Sequence, residues 1–262
     1  MMIFDSHFHY TSITSKDKSY KLPSDLIGID IAIKAGDTEG RIKALNRDDI
    51  FISSGSGPWV LDYPEFVSID DEISRLKAEI ELFNSDAIGE CGFDNHWNYG
   101  TKEEQEELFL REAELAKLFD RALIVHTRDA DEEIEKCLNK LGDRVIMHCF
   151  SSDCALMKKA LDAGAYISFS ANITYKGNDK IREAVKYCPL DRLLYETDSP
   201  YLPPRKERGR INTPEKTEIT LSTISEIKNE DSALIKENAI ENLYRVLGRR
   251  KSEAKRNISV TL

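Results

Sequence analysis

The 262-residue chain carries 47 acidic and 37 basic side chains, a formal net charge of -10, which excludes a protein that coats nucleic acid by bulk electrostatics and leaves only local phosphate recognition. Hydrophobic residues at 40% and charged residues at 32% predict a soluble globular protein with a real core, and no apolar run approaches the length of a membrane span. The opening Met1-Met2-Ile3-Phe4-Asp5 has no basic region and the five cysteines form no CxxC pair, so no signal peptide, reduced thiols and a cytoplasmic location are expected.

Taken in chain order, eight β-type runs are predicted over residues 2–6, 29–33, 50–54, 87–91, 122–127, 144–149, 165–169 and 192–197. The segment between the first two is short and shows no convincing helix, so an irregular first crossover is expected. Residues 65–84 carry Phe66, Ile69, Ile73, Leu76, Ile80 and Phe83 three and four apart, one apolar stripe of a helix. Residues 101–119 place Leu108, Leu115, Ala116 and Phe119 on one side of another. A third, over residues 213–227, begins Thr213-Pro214-Glu215-Lys216, which fits an N-cap followed by proline at the first helical position. Strand–helix alternation over the whole length means a parallel sheet. Eight runs, no composition break, and a length close to the roughly 250 residues of such folds favour a TIM-type (β/α)8 barrel with outer helices. A single barrel domain over residues 1–248 is expected, then a basic tail, 249–262, expected to be frayed. A monomer is the expected state.

The chemistry gathers at the ends of five of these runs. They finish as Asp5-Ser6-His7-Phe8-His9, Gly89-Glu90-Cys91-Gly92, Val125-His126-Thr127-Arg128, Met147-His148-Cys149-Phe150 and Glu196-Thr197-Asp198-Ser199-Pro200. Imidazoles and carboxylates are costly in apolar surroundings unless compensated, and metal coordination is the usual compensation. Side chains alternate along a strand, so His7 and His9 face the same way and can hold one ion. A lone histidine near a strand end is more often a hydrogen-bonded structural residue. Six such residues, His7, His9, Glu90, His126, His148 and Asp198, at barrel strand ends are not explained that way. Four histidines and two carboxylates exceed one tetrahedral zinc site and suit two divalent ions bridged by a carboxylate. The N/O donor set admits zinc, manganese, magnesium or cobalt.

Around this set, Cys91 and Cys149 each directly follow a strand-end residue and are expected to fill the core. Cys149 and Cys154 are the thiols that offer an alternative as metal ligands. His96, in the loop after the fourth run, is expected near the mouth, and Trp97 beside it could offer a stacking face to a base. Arg205-Lys206-Glu207-Arg208-Gly209-Arg210, just past Asp198, reads either as a solvated loop or as a local phosphate contact.

Together these segments resemble the TatD family of metal-dependent deoxyribonucleases, within the wider amidohydrolase-like barrels, from Asp5 to about Leu247. The most specific is Glu196-Thr197-Asp198-Ser199-Pro200-Tyr201-Leu202, with Val125-His126-Thr127-Arg128-Asp129-Ala130 and His148-Cys149-Phe150-Ser151 in order and spacing. The resemblance implies that His7, His9, Glu90 and Asp198 hold one metal and that Glu90 bridges to a second held by His126 and His148. It implies that Asp198 orients or deprotonates the attacking water. Arg128 would steady the site or meet a phosphate, and the family's basic loop is partly retained in Arg208-Gly209-Arg210 and Asn212, with Arg205 just before it. Three departures concern substrate choice. The third strand commonly ends Gly-x-His-Pro and here reads Gly55-Ser56-Gly57-Pro58, Ser152 replaces a usual glycine, and the first crossover is short.

The expected function is therefore two-metal hydrolysis of DNA phosphodiester bonds, from an end or on single strands, with DNA as partner and Glu90 and Asp198 as catalytic residues. A binuclear small-molecule amidohydrolase or lactonase is the alternative, since one barrel hosts many reactions. Related amidohydrolases often bridge their metals with a modified lysine at the end of the fourth strand, and Glu90 stands there instead. A metal-stabilised scaffold without activity is the third reading. It fits poorly, because six ligands shared by two ions leave open positions.

Overall fold

Short apolar runs separated by amphipathic stretches can bury both faces of each strand only if helices cover a common sheet. The computed structural model, which describes residues 2–45 and 47–248, has that arrangement. Strands β1 (Ile3–Phe8), β2 (Leu26–Asp30), β3 (Ile50–Ser54), β4 (Ala87–Asp94), β5 (Ala122–Arg128), β6 (Val145–Met147), β7 (Tyr166–Phe169) and β8 (Leu193–Tyr195) pair in chain order, each parallel to the next. Helices α1 (Tyr10–Lys16), α2 (Thr38–Ala44), α3 (Ile69–Phe83), α4 (Lys102–Leu118), α5 (Asp131–Cys137), α6 (Cys154–Asp162) and α7 (Asp179–Tyr187) follow the first seven strands. Helices α8 (Thr217–Lys228) and α9 (Ser232–Val246) follow the eighth.

The last seam closes at the mouth. Phe8 bridges Ser199, the His9 N–H donates to the Ser199 carbonyl at 2.8 Å, and the Asp198 N–H donates to the His7 carbonyl at 3.0 Å. Lower down, the buried Asp5 carboxylate accepts from the Thr197 N–H at 3.0 Å and the Thr197 hydroxyl at 2.5 Å. The result is a nearly closed eight-stranded barrel whose first and last functional segments are tied to each other. The tail over residues 249–262 lies outside the described residues.

Local signals account for the better-read elements. Ser68 caps α3 by accepting from the Asp71 N–H, and Ile69, Ile73, Leu76 and Ile80 are its buried stripe. Thr101 and Glu104 form a reciprocal capping box at the start of α4. Four expectations need correction. The first crossover does contain a helix, α1, but only Ile13 of its seven residues is buried, so the sequence shows no stripe. The second strand runs Leu26–Asp30 rather than over residues 29–33: it pairs with β1 from Leu26 onward and leaves the sheet after Asp30, whose buried carboxylate is paired with Arg41 at 2.9 Å. Pro214–Lys216 forms a separate 3-10 turn ahead of α8, and Thr213 makes no side-chain cap. Cys149 does not turn into the core: β6 ends at Met147, and Cys149 adopts a left-handed φ of 45°, so strand alternation no longer governs its direction.

Candidate metal centre

His7 of β1 and His9, two residues on at the N-cap of α1, begin the site. Nε2 of His7 and Nε2 of His9 lie 3.2 Å from each other and both rings are buried. Glu90 comes from the middle of β4, where Gly89 precedes it with φ +128°. A Cβ at Gly89 would lie 2.4 Å from the Ile124 carbonyl oxygen of β5, so only glycine allows the two strands this approach. The Glu90 carboxylate then reaches both sides. Its Oε1 is 3.3 Å from His9 Nε2 and 3.8 Å from His7 Nε2. Its Oε2 is 2.8 Å from His148 Nε2 and 3.4 Å from His126 Nδ1. Asp198, in the left-handed region at φ 56°, places Oδ1 3.4 Å from His9 Nε2 and 3.8 Å from His7 Nε2. Such backbone positions are uncommon outside glycine but tolerated by aspartate, and they concentrate at functional sites. All six expected residues therefore converge. Two sets offer ligand atoms within 4.8 Å of one another, His7 with His9 and Asp198, and His7 with Glu90 and His148.

The far side of each ring explains why the near side is available. His9 Nδ1 lies 3.3 Å from the Ile31 carbonyl oxygen. His148 Nδ1 lies 3.2 Å from Glu196 Oε1, and His126 Nε2 lies 3.3 Å from Asp94 Oδ2. A carbonyl or carboxylate can only accept, so each of these three nitrogens carries the proton, and in the neutral ring the opposite nitrogen turns its lone pair toward Glu90. His7 stacks on His148 with ring centroids 3.9 Å apart, and its Nδ1 is buried without a hydrogen-bond partner. Lone pairs facing carboxylate oxygens repel unless protons or cations lie between them. The donor set thus fits divalent metal ions, and the outer contacts are those that orient metal-binding histidines.

Within the cluster the carboxylates and imidazoles shift one another's titration. Burial pushes Glu90 up, but the imidazoles of His148 and His7, with bonds from His126 and His148, hold it well below the usual carboxylate range. Burial pushes His148 down, and Glu90 and Glu196 more than offset it, raising it well above an ordinary imidazole. His7 is lowered, first by burial and then by the charge of His148.

Asp94 and Glu196 escaped the sequence reading as functional residues. Asp94 lies four positions beyond Glu90 on β4, the same parity, so alternation alone would have placed it on the same face. Glu196 lies two before Asp198. It binds the Ser168 hydroxyl and the Cys149 N–H, the latter at 2.8 Å, as well as His148. Backbone carbonyls such as that of Ile31 leave no sequence signal at all.

Above the cluster opens a cavity of about 980 Å³ whose wall includes His96, Trp97, Arg128 and Cys149. Arg128 lies over the Trp97 ring at 5.7 Å, and His96 Nδ1 is 3.2 Å from Asp129 Oδ2, so His96 is at the rim as expected. Of the basic loop, Arg208 reaches the wall indirectly, resting over Tyr175 at 5.1 Å. Among the described residues lining the cavity, neither Arg205 nor Arg210 is present, and Asn212 instead ties the loop down through the Thr197 and Tyr201 carbonyls at 2.9 and 2.7 Å. No described helix is long and apolar enough to cross a membrane.

The family model described as TatD related DNase matches residues 4–248. A protein of Escherichia coli K12 named as an uncharacterized metal-dependent hydrolase, YcfH, is 39% identical over 171 residues, 64% of this chain and 62% of that protein. YabD of Bacillus subtilis 168, which carries the same description, is 36% identical over 167 residues, 61% of this chain and 65% of its own. The aligned part thus spans a little under two thirds of these relatives. The crystal structure of YJJV, a TatD homolog from Escherichia coli K12, superposes with a TM-score of 0.83 at 25% identity, covering 95% of this chain and 98% of that one.

Proposed function

Because the chain belongs to the TatD related DNase family, we propose that it is a metal-dependent hydrolase that cleaves ester bonds, and specifically the phosphodiester bonds of DNA at an end or in single strands. The observation that carries this reading is the Glu90 carboxylate held between two histidine pairs, one oxygen 3.3 Å from His9 and the other 2.8 Å from His148. His7, His9 and Asp198 would hold one divalent ion and His126 and His148 a second, with the Glu90 carboxylate placed between the two sets. When bound, such a pair of ions lowers the pKa of an attacking water and neutralises charge on a phosphoryl oxygen. Asp198, at the edge of the cavity, would orient the attacking water and take its proton. Asp94, Glu196 and the Ile31 carbonyl keep the rings from rotating, which preserves the geometry through turnover. Arg128, held on Trp97 at the cavity wall, supplies a positive charge for a neighbouring phosphate. The net charge of -10 suits a narrow site for a strand end better than a clamp on duplex DNA.

The test is incubation with end-labelled single-stranded DNA and manganese, with Glu90→Gln as the paired control and products resolved by length. A ladder from the wild type alone supports the reading. No cleavage by either protein, with metal bound, removes the nuclease reading and moves the assignment to a small-molecule hydrolase.

A further inference from the structure

The third strand ends in a compromise over space. Gly57 has an ordinary φ of -67°, so its backbone does not require glycine. Its surroundings do: a Cβ there would lie 2.1 and 2.3 Å from two ring carbons of Trp59. A side chain at position 57 and the indole of Trp59 therefore exclude each other. The indole is pinned in this place. Its Nε1 donates to the Ile33 carbonyl at 2.8 Å, and it stands edge-on to Tyr99 at 6.5 Å and to His126 of the metal centre at 5.6 Å. Trp59, Tyr63 and Tyr99 all belong to the cavity wall, and Trp59 is half-buried with part of its surface in that wall.

We propose that Trp59, with Tyr99 beside it, is a specificity-determining stacking platform that receives the planar nucleobase next to the scissile phosphate, and that Gly57 is present to admit it. The proposal rests on the phosphodiesterase reading of the same cavity. It follows from what the wall offers at that point. A cationic or imidazole side chain at position 57 would grip a phosphate of any nucleotide, whereas an indole one ring away from His126 gains only from a flat π-surface. Stacking tolerates every base because each has a π-face, but it requires that the base be free of its duplex neighbours. The platform therefore selects single-stranded or frayed ends and penalises sites that lack a base.

The experiment compares two otherwise identical oligonucleotides, one with all bases and one with abasic tetrahydrofuran residues in its terminal positions. Binding is read by fluorescence anisotropy on the manganese-loaded protein with phosphorothioate-linked strands that resist cleavage, and cleavage by KM and kcat with manganese. For the wild type, the base-bearing strand is expected to bind more tightly. Trp59→Ala should weaken binding of that strand, and raise its KM, about 5–150-fold, with the abasic strand and kcat little changed. Trp59→Phe should retain most of the preference. Gly57→Ala, which displaces the indole without removing it, should lose it. Equal binding of the two strands by the wild type, or equal losses on both strands in Trp59→Ala, overturns the proposal even where cleavage proceeds. A base preference that vanishes in Trp59→Ala, in a protein that cleaves neither strand, supports the platform and rejects the nuclease reading instead.

Discussion

Two buried polar clusters share one rim of this barrel, and they solve the problem of buried charge in opposite ways. At the end of β2, Arg41 is fully buried and accounts for all it faces. It pairs with Asp30 at 2.9 Å and Asp37 at 2.9 Å, and donates to the Asp30 carbonyl at 3.0 Å and the Ser53 carbonyl at 2.5 Å. Burial pushes its pKa down, and the two carboxylates more than reverse it. Elsewhere on the same rim, around Glu90, rings whose far nitrogens are already engaged face carboxylate oxygens with their near nitrogens. The first cluster is complete as protein. The second is a donor set compatible with a metal ion. Burial of ionisable groups alone thus does not mark a function; a surplus of oriented lone pairs does.

The contrast can be broken from either side. The largest effect is expected from Glu90→Gln, which removes the bridging carboxylate. Turnover should fall more than about a thousandfold, consistent with the loss of several kcal/mol of charge stabilisation. Circular dichroism and the metal-free melting temperature should stay at or above those of the wild type. A variant with unaltered turnover would refute the bridging role. Arg41→Met should act the other way, costing about 3–5 kcal/mol in urea unfolding because Asp30 is left buried and unpaired. The metal content of its folded fraction, measured by atomic emission, should equal that of the wild type. If instead Arg41→Met emptied the metal site without destabilising the fold, the two clusters would be one.

Smaller effects sharpen the same distinction. Asp94→Asn and Glu196→Gln leave every ligand in place but weaken the orienting contacts, and metal affinity should drop about 10–100-fold by competitive chelator titration. Glu112 supplies a pH test away from the metal centre. Burial, together with the charge of Glu72, raises it well above the usual carboxylate range despite the Ser56 N–H bond at 2.8 Å, and its Oε2 has no hydrogen-bond partner. A raised carboxyl stabilises fully below its unfolded pKa, about 4.3, and that stabilisation is lost as pH rises through the folded value. Glu112→Gln does not titrate, so its melting temperature relative to wild type should climb between pH 5 and pH 9; a constant difference would mean that Glu112 is ionised throughout. The least effect, under about twofold in KM, is expected from charge reversal at Arg205 or Arg210, which lie outside the cavity wall; a steep change in salt dependence would restore them as phosphate contacts.

The sequence by itself determined the eight-strand alternation, the apolar stripes of α3 and α4, and the six residues that converge. Those signals are local: alternation sends His7 and His9 to one side whatever lies opposite, and strand ends in a parallel barrel share one face. Tertiary structure alone decided the rest. It set β2 three residues earlier, coiled the polar α1, turned Cys149 out of the core, and left Arg205 and Arg210 off the wall. It also supplied the orienting partners of His9, His126 and His148 and set Trp59 in the space above Gly57. Each of these depends on which atom of a distant segment lies within about 3 Å of another, the reach of a hydrogen bond. No period along the chain encodes that distance, which exists only once the strands have closed around the site.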